Sequence, residues 1–521
     1  MKKTLTLVML FTMATVSSLF AQEKVIKIID YSDIQMTFNK ALGNDRYNID
    51  SLRILHVGDD ARTKTGLEEI FAILRDCCEK GKLTGIDMSQ CRSISSVPDN
   101  AFLHTTINSK PGKQNEAEVP FRCNLRYISL PNTVLSIGEN AFACTNLEAI
   151  TLPHFVKAIG DNAFSDCVHL KHVSFIGKEI KPADAGLAFS GLLSGAVLHV
   201  AKGLGLDYRR TGCWNAFSEI KEEEDLYNTE ELDIDENHTL KDILGGRDMY
   251  IDELKINGSL SADDLDMLKH AVQYGRLTDI DLTNCVIDES KGSAFSYCRL
   301  ESLRLPRVMK KINGSLLSHS RVNYLAMPEQ YEEIGAGAFE GYKEFVDGTL
   351  VIPEGCRGIR PAAFRYCSCI KKMMMPSTLD ELHELSLYFV GSDYLVTDVE
   401  LYVNKMNPPT MIIDEEGWSA FGFSNEDEAI RTWRLFVPIG AKKNYESDEK
   451  WNMLTIIETP MLTGTPDGIA ETVTSVKPAA SAADGIYTVD GRLVTRDMAA
   501  KSSLRGLYIV REGGLTRKVT F

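Results

Sequence analysis

One stretch of this chain is written twice. "IGENAFACTNLEAITLP", Ile137 to Pro153, is followed by "IGDNAFSDCVHLKHVSF", Ile159 to Phe175. A step of 22 residues links Ile137 to Ile159, Phe142 to Phe164, Leu125 to Leu147 and Leu130-Pro131 to Leu152-Pro153. The scheme returns as "LESLRLP" from Leu300, "VNYLAMP" from Val322, "IGAGAF" from Ile334, "IRPAAF" from Ile359 and "IKKMMMP" from Ile370. A unit this short cannot bury its own apolar face, so neighbouring units must stack and share a core. Identical slots then need identical plugs.

Each unit has two parts. In "LEAITLP" the residues Leu147, Ile150 and Leu152 end in period-two alternation, which marks a short strand with one buried face. Gly160, Asp161 and Asn162 suit a tight bend, where glycine is expected for its tolerance of positive φ. Ala163 and Phe164 then plug the interior. The fold class is a repeat solenoid, mainly β with short helices and turns: two tandem modules plus a small C-terminal β segment.

The two modules come from a longer duplication. Gly203, Tyr208, Trp214 and Ile220 match Gly440, Tyr445, Trp451 and Ile457 at a constant offset of 237. "IDSLRI" from Ile49 matches "IDELKI" from Ile251, and "LTGIDMSQC" from Leu83 matches "LTDIDLTNC" from Leu277. Leu67, Ile70 and Ile73, and later Leu265, Leu268 and Val272, follow helical spacing. Each copy reads as an opening strand, a helix, a stack of repeats and a closing segment whose Trp214 or Trp451 caps the open end.

The expected organisation is a signal peptide at 1–21, a first module at 22–223, an acidic linker at 224–238 and a second module at 239–459. A flexible linker at 460–484 and a β segment at 485–521 follow. Lys2 and Lys3 before the apolar Leu5 to Phe20 carry the signal-peptide reading. No later run is long and apolar enough to cross a membrane as a helix. The small residues, Thr and Pro after Pro460 read as a linker. "IYTVDGRLV", from Ile486, reads as a hairpin turning at Asp490-Gly491, and "GLYIVREGGLTRKVTF" adds strands around Gly513-Gly514.

The net charge is −16, or −18 once Lys2 and Lys3 are removed, which disfavours nucleic acid as a partner. Twelve cysteines in an exported chain invite disulfides, but Cys144, Cys167, Cys298 and Cys367 each follow a plug phenylalanine by two or three residues. Cys91 and Cys285 close the matched "LTGIDMSQC" and "LTDIDLTNC". The repeated slot predicts buried free thiols.

The "IGxxAFxxCxxLxxIxLP" pattern resembles the BspA-like leucine-rich-repeat family of bacterial surface proteins, over most of Arg53 to Glu458. The closing "VPxGxxxxYxxxxxW" at Val437 to Trp451 is similar to that family's terminal cap; in the first copy Ala201 replaces the proline. The resemblance implies export and, for some members, adhesion. Gly485 to Phe521 resembles the sorting domain of the type IX secretion system, shorter than the full sandwich. That implies a cell-surface or secreted protein, or a periplasmic one if the segment is vestigial.

No motif assembles a catalytic centre. "HELSL" from His383 lacks the second histidine of a zinc-protease helix, and "GLLSG" from Gly191 has the wrong spacing for a nucleophile elbow. Asp233, Asp235 and Asn237 lack the glycine and acid of a calcium loop. His169 and His172 flank a core leucine and are aimed apart by strand alternation. The reading is a protein that is not an enzyme, with no metal and no cofactor.

Alternation instead locates a candidate binding face on the residues between the core positions. In the first module it holds Tyr127, Thr151 and His172, with Ser129, Ala149 and Ser174. In the second it holds Asp279, Asp281, Arg304, Tyr324 and Lys372. Solenoids use such faces for extended recognition. The expected partner is an extracellular or surface protein, alternatively a glycan in a nutrient-capture system. Leu103 to Pro120 lengthens one unit of the first module only and is a second candidate.

Overall fold

The computed structural model describes residues 23–520 except 29–33, 57–63, 92–93, 107–118, 178–186, 193–194, 211, 225, 236–237, 289, 346–347, 389, 391–397, 423–432, 461–484, 489–492, 496–506 and 513–514. The expected signal peptide at 1–21 lies outside the described residues. So do most of the 460–484 linker, the 107–118 part of the insertion and the two C-terminal turns at Asp490-Gly491 and Gly513-Gly514.

Residues 1–461 and 462–521 are separate compact units. The first contains two hydrophobic cores that share no member, one from Ile26 to Ile220 and one from Ile234 to Ile456. Around each, short parallel strands stack in register. In the first module Glu23–Ile28, Ser51–His56, Gly85–Asp87 and Tyr127–Ser129 form one sheet. Ala149–Leu152, His172–Phe175, Val197–Ala201 and Glu219–Glu223 form the next. Two-residue strands make a further parallel ladder, as in the pairs Ser136↔Ala158 and Ile137↔Ile159.

The second module repeats the plan with two five-stranded parallel sheets, Thr229–Ile234 through Arg321–Ala326 and Thr349–Val351 through Thr455–Thr459. The segment expected as an acidic linker therefore supplies an edge strand, with Ile234 in the core. Exposed Thr229, Glu231 and Asp233 alternate with partly or fully buried Glu230, Leu232 and Ile234, and the acids of an edge strand give it the texture of a solvated run.

The plug residues form a stack. Phe71, from helix Lys64–Lys80, meets Phe102 edge-on at 5.8 Å. Phe102, Phe142, Phe164 and Phe189 then follow with near-parallel rings 5.0 to 5.5 Å apart. Trp214 ends the series 5.4 Å from Phe189. Each buried phenylalanine contributes about 2 to 3 kcal/mol of apolar burial, available only because its neighbours exclude water from both ring faces.

The turn before each plug is left-handed. Asn100, Asn140, Asn162, Ser293, Ser315, Gly337, Ala362 and Leu385 occupy the same slot with φ between 53° and 61°. Gly160 is not among the positive-φ residues, which corrects the expectation for that glycine. A Cβ there would lie 2.5 Å from the backbone nitrogen of Glu139, and one at Gly138 would lie 2.5 Å from that of Asp99. Glycine is required because successive turns touch backbone to backbone; Asn162 is the residue that takes the left-handed conformation.

The eleven described cysteines carry free thiols, ten of them buried. Cys167 donates to the carbonyl oxygen of Phe142 at 3.1 Å, and Cys367 to that of Phe339 at 2.8 Å. Cys91 and Cys285 donate to Ile54 and Ile256, each at 3.0 Å. The slot thus takes a small apolar residue with one weak donor. Ser320 fills the same slot opposite Phe295.

Both closing segments use one device. The Glu222 carboxylate accepts from the amides of Gly203 and Gly205, and that of Glu458 from Gly440 and Lys442. Gly203 and Gly440 have φ of 90° and 88°. Trp214 and Trp451 are fully buried beneath, and Trp451 Nε1 donates to the Pro409 carbonyl at 3.2 Å.

In the unit 462–521, Gly485–Thr488, Leu493–Thr495, Leu507–Glu512 and Leu515–Thr520 form an antiparallel sheet. Among the described residues no helix is long and apolar enough to cross a membrane.

Candidate binding site

Strand alternation turns Tyr127 and Ser129, Ala149 and Thr151, and His172 and Ser174 away from the first core, with Ile128, Ile150 and Val173 pointing into it. Those six residues wall a cavity of about 120 Å³. The opposite wall comes from the second module: Met249 and Tyr250 of a 3₁₀ turn, and Tyr274, Gly275 and Arg276 at the end of helix Ala262–Tyr274. That helix is fixed at its start by a capping box in which Ser261 and Asp264 bond reciprocally.

The modules are tied beside the cavity. Asn132 Nδ2 donates to the Gly275 carbonyl at 2.5 Å across the two modules, while the Tyr227 hydroxyl donates to Asp279 Oδ2 at 2.8 Å on the second module's side. The Arg299 guanidinium lies 4.9 Å from the centre of the Phe155 ring, and burial lowers its pKa to about 10. Arg276 is committed to Asp252, with Nε and Nη2 at 2.9 and 2.7 Å from its carboxylate.

A line of hydrogen bonds leads away from the cavity. His172 Nδ1 lies 3.0 Å from His199 Nε2, and His199 Nδ1 lies 2.9 Å from Glu223 Oε1. Lys221 completes the line, 2.8 Å from the same Glu223 oxygen. Burial alone would raise the Glu223 carboxyl, but the bonds from Lys221 and His199 outweigh it and hold the group below its ordinary value. Burial, then the charges of His199, Lys171 and Lys221, push the His172 pKa down. His172 thus pairs with His199 and not with the exposed His169, the partner considered from sequence.

The eight residues picked from alternation fall into separate groups. Tyr127, Thr151 and His172 meet at the cavity, where the Tyr127 hydroxyl donates to Glu148 at 2.6 Å. Asp279 is absorbed by the junction, accepting from Tyr227, Thr278 and Ser302. Asp281 and Arg304 are register neighbours, and Arg304 lies over the ring of Tyr324 at 5.0 Å. Lys372 stands on the other sheet of the second module, 4.5 Å from the Tyr402 ring centre.

Tyr402 leads to a feature that alternation could have found and the sequence reading missed. Val351, Met374, Tyr402, Phe436 and Ile457 are register partners across five strands on the face opposite the core. The Tyr402 and Phe436 rings stack 4.4 Å apart. Beside this apolar row runs a polar one, Lys372, Glu400 and Arg434, in which Arg434 pairs with Glu400 at 3.0 Å. The signal was present in "ELYV" and "RLFVP", whose outward positions carry rings.

The BspA type leucine rich repeat region matches this chain in six copies, over residues 71–183 and 269–392. No curated protein matches it. Among solved structures, a leucine rich cell surface protein from Faecalibacterium prausnitzii A2-165 is 13% identical, covers 70% of this chain and 81% of its own, and has a TM-score of 0.14. A leucine-rich repeat protein from Bacteroides ovatus ATCC 8483 is 15% identical, with coverages of 62% and 79% and a TM-score of 0.16. The pneumococcal vaccine antigen PcpA is 13% identical, with coverages of 72% and 78% and a TM-score of 0.19.

Proposed function

We propose, from the match of residues 71–183 and 269–392 to the BspA type leucine rich repeat region, that this chain is an exported, noncatalytic protein that binds other proteins through its sheet faces and serves in adhesion. The observation that carries the reading is the row Val351, Met374, Tyr402, Phe436 and Ile457. On the outward face of the sheet Val351, Tyr402, Phe436 and Ile457 are half-buried around a buried Met374, and charged residues border them, which supports an interface with an apolar centre and a polar rim. A glycan partner is less well supported. Sugar rings stack on open aromatic faces, and Tyr402 is held between Lys372 and Phe436 while Tyr324 carries Arg304.

The test is retention of purified extracellular and cell-surface proteins by the immobilised full chain. Saturable binding that weakens at least tenfold with Tyr402→Ser and Phe436→Ser supports the reading; retention of none of them overturns it. Export through the C-terminal segment is tested by surface protease accessibility, comparing the full chain with one ending at Pro460. Equal surface exposure of the two would remove any role for that segment.

A further inference from the structure

The two modules end in the same cap, but their last strands differ along the outward side. Ladder register aligns those strands. Leu198 pairs with Ile220 and its counterpart Leu435 with Ile456, one residue away from the 237-residue offset of the caps. The cap carboxylates agree, since Glu222 and Glu458 each stand two residues after that isoleucine. In this alignment Glu219, Lys221 and Glu223 of the first module occupy the positions of Thr455, Ile457 and Thr459 in the second.

Each strand is the last of its sheet, and no strand among the described residues pairs with its outer side. Charged side chains on such an edge oppose pairing with another chain. The first module has them at all three positions, and Lys221 lies 2.8 Å from Glu223. The second has none there: threonine and isoleucine are β-branched, uncharged and suited to a ladder. One chain thus carries a blocked edge and an open one.

The backbone of the open edge is set for pairing with its own copy. Thr455 donates its N–H to the Trp433 carbonyl at 3.2 Å, so by alternation the N–H and C=O groups of Ile456 and Glu458 point away from Arg434–Pro438. An antiparallel copy related by a two-fold axis at Ile457 puts Ile456 of one chain opposite Glu458 of the other, and each such pair exchanges both backbone hydrogen bonds. The two Ile457 side chains then meet on the outward face, and Thr455 meets Thr459, pairs that stabilise a ladder. The neighbouring registers are worse. An axis at Glu458 sets two carboxylates opposite each other. One at Ile456 leaves Glu458 opposite Leu454, whose N–H is already bonded to the Trp451 carbonyl. The row from Val351 to Ile457 ends at this edge, so the chosen register continues it directly into the row of the second copy.

We propose that the strand Thr455–Thr459 is a self-association site through which two copies of this chain join edge to edge as an antiparallel dimer. This goes beyond the capture of other proteins and does not depend on it.

The experiment is analytical ultracentrifugation of the full chain over a wide range of protein concentration. The expected result is a reversible equilibrium between monomer and dimer. Ile457→Lys, which installs the residue that the first module carries at this position, should weaken it by roughly tenfold or more, and circular dichroism establishes that each variant is folded. Thr455→Lys with Thr459→Lys sets like charges across the axis and should do the same. Thr455→Lys with Thr459→Glu sets unlike charges across it and should keep the dimer. Ile457→Cys brings two thiols together with Cα atoms about 4.5 Å apart. Glutathione disulfide, which takes up their two electrons as the protons leave, should link those copies covalently and should link neither the parent chain nor Lys221→Cys. Tyr402→Ser should weaken protein capture without changing the dimer, so the two readings fail separately. A monomer at every concentration, a dimer that persists in Ile457→Lys, or equal behaviour of the two charge variants would overturn the proposal. A monomeric chain that loses protein capture with Thr455→Lys and Thr459→Lys, which lie outside the apolar row, would assign the edge to a strand of another protein and likewise overturn it.

Discussion

Cys367 donates its thiol hydrogen to the carbonyl oxygen of Phe339, 2.8 Å away in the preceding repeat. The relationship recurs at Cys91, Cys167 and Cys285, whose thiols also donate to buried backbone carbonyls of a neighbouring turn. Ser320, in the same slot, shows that the donor matters as well as the volume. Cys367→Ala should cost about 1 to 2 kcal/mol in chemical denaturation, and Cys367→Ser less than Cys367→Ala. Equal costs would reduce the slot to volume alone.

The two turn positions should respond in opposite senses. Gly160→Ala forces a Cβ against the Glu139 backbone and should lower stability by about 1 to 3 kcal/mol. Leu385→Gly, in a left-handed slot occupied by a branched residue, should raise it by up to about 1 kcal/mol. Thermal midpoints of the two variants against the parent check both signs.

A pH effect follows from His172. Its pKa in the folded chain lies below the ordinary 6.5, so the folded state binds fewer protons than the unfolded one as pH falls through that value. The associated stability is fully present above pH 6.5 and is lost as pH falls toward the folded pKa. The Glu223 carboxyl is also lowered, from 4.5, so its contribution is lost only in more acid solution. The thermal midpoint should fall as the pH is taken below 6.5, and His172→Phe should flatten that slope.

The Arg276 and Asp252 pair is buried at the edge of the cavity, with Asp252 only 1% exposed. Burial pushes the Asp252 carboxyl up, and Arg276 works against it. Removing the cation alone, as Arg276→Met, should cost about 3 to 5 kcal/mol by stranding a carboxylate. Arg276→Met combined with Asp252→Asn should recover part of that loss in a double-mutant cycle.

How much of this was legible in the sequence depends on the range of the interaction. Repetition and alternation are local, and they placed Tyr127, Thr151 and His172 on the wall they occupy. The strand from Thr229 to Ile234 was hidden because half its residues are acids on an exposed edge. The pairing of His172 with His199 was hidden because the 22-residue step fails there: Val197 lies opposite His172, 25 positions on. The far wall of the cavity could not be read at all. It depends on where the second module's opening helix meets the first module's sheet, which no local period encodes.

The phenylalanine stack bears on where this scaffold can be cut and lengthened. Phe142 and Phe164 are 22 positions apart and Phe102 and Phe142 are 40 apart, yet the ring spacings are 5.3 and 5.5 Å. A paired stem, His104–Thr106 against Val119–Phe121, stands between these two rungs, and the ring spacing is nearly the same on either side of it. That stem is a natural grafting port: its two strands pair with each other, so a foreign epitope or reporter joined to them at Thr106 and Val119 should leave the phenylalanine stack as it is.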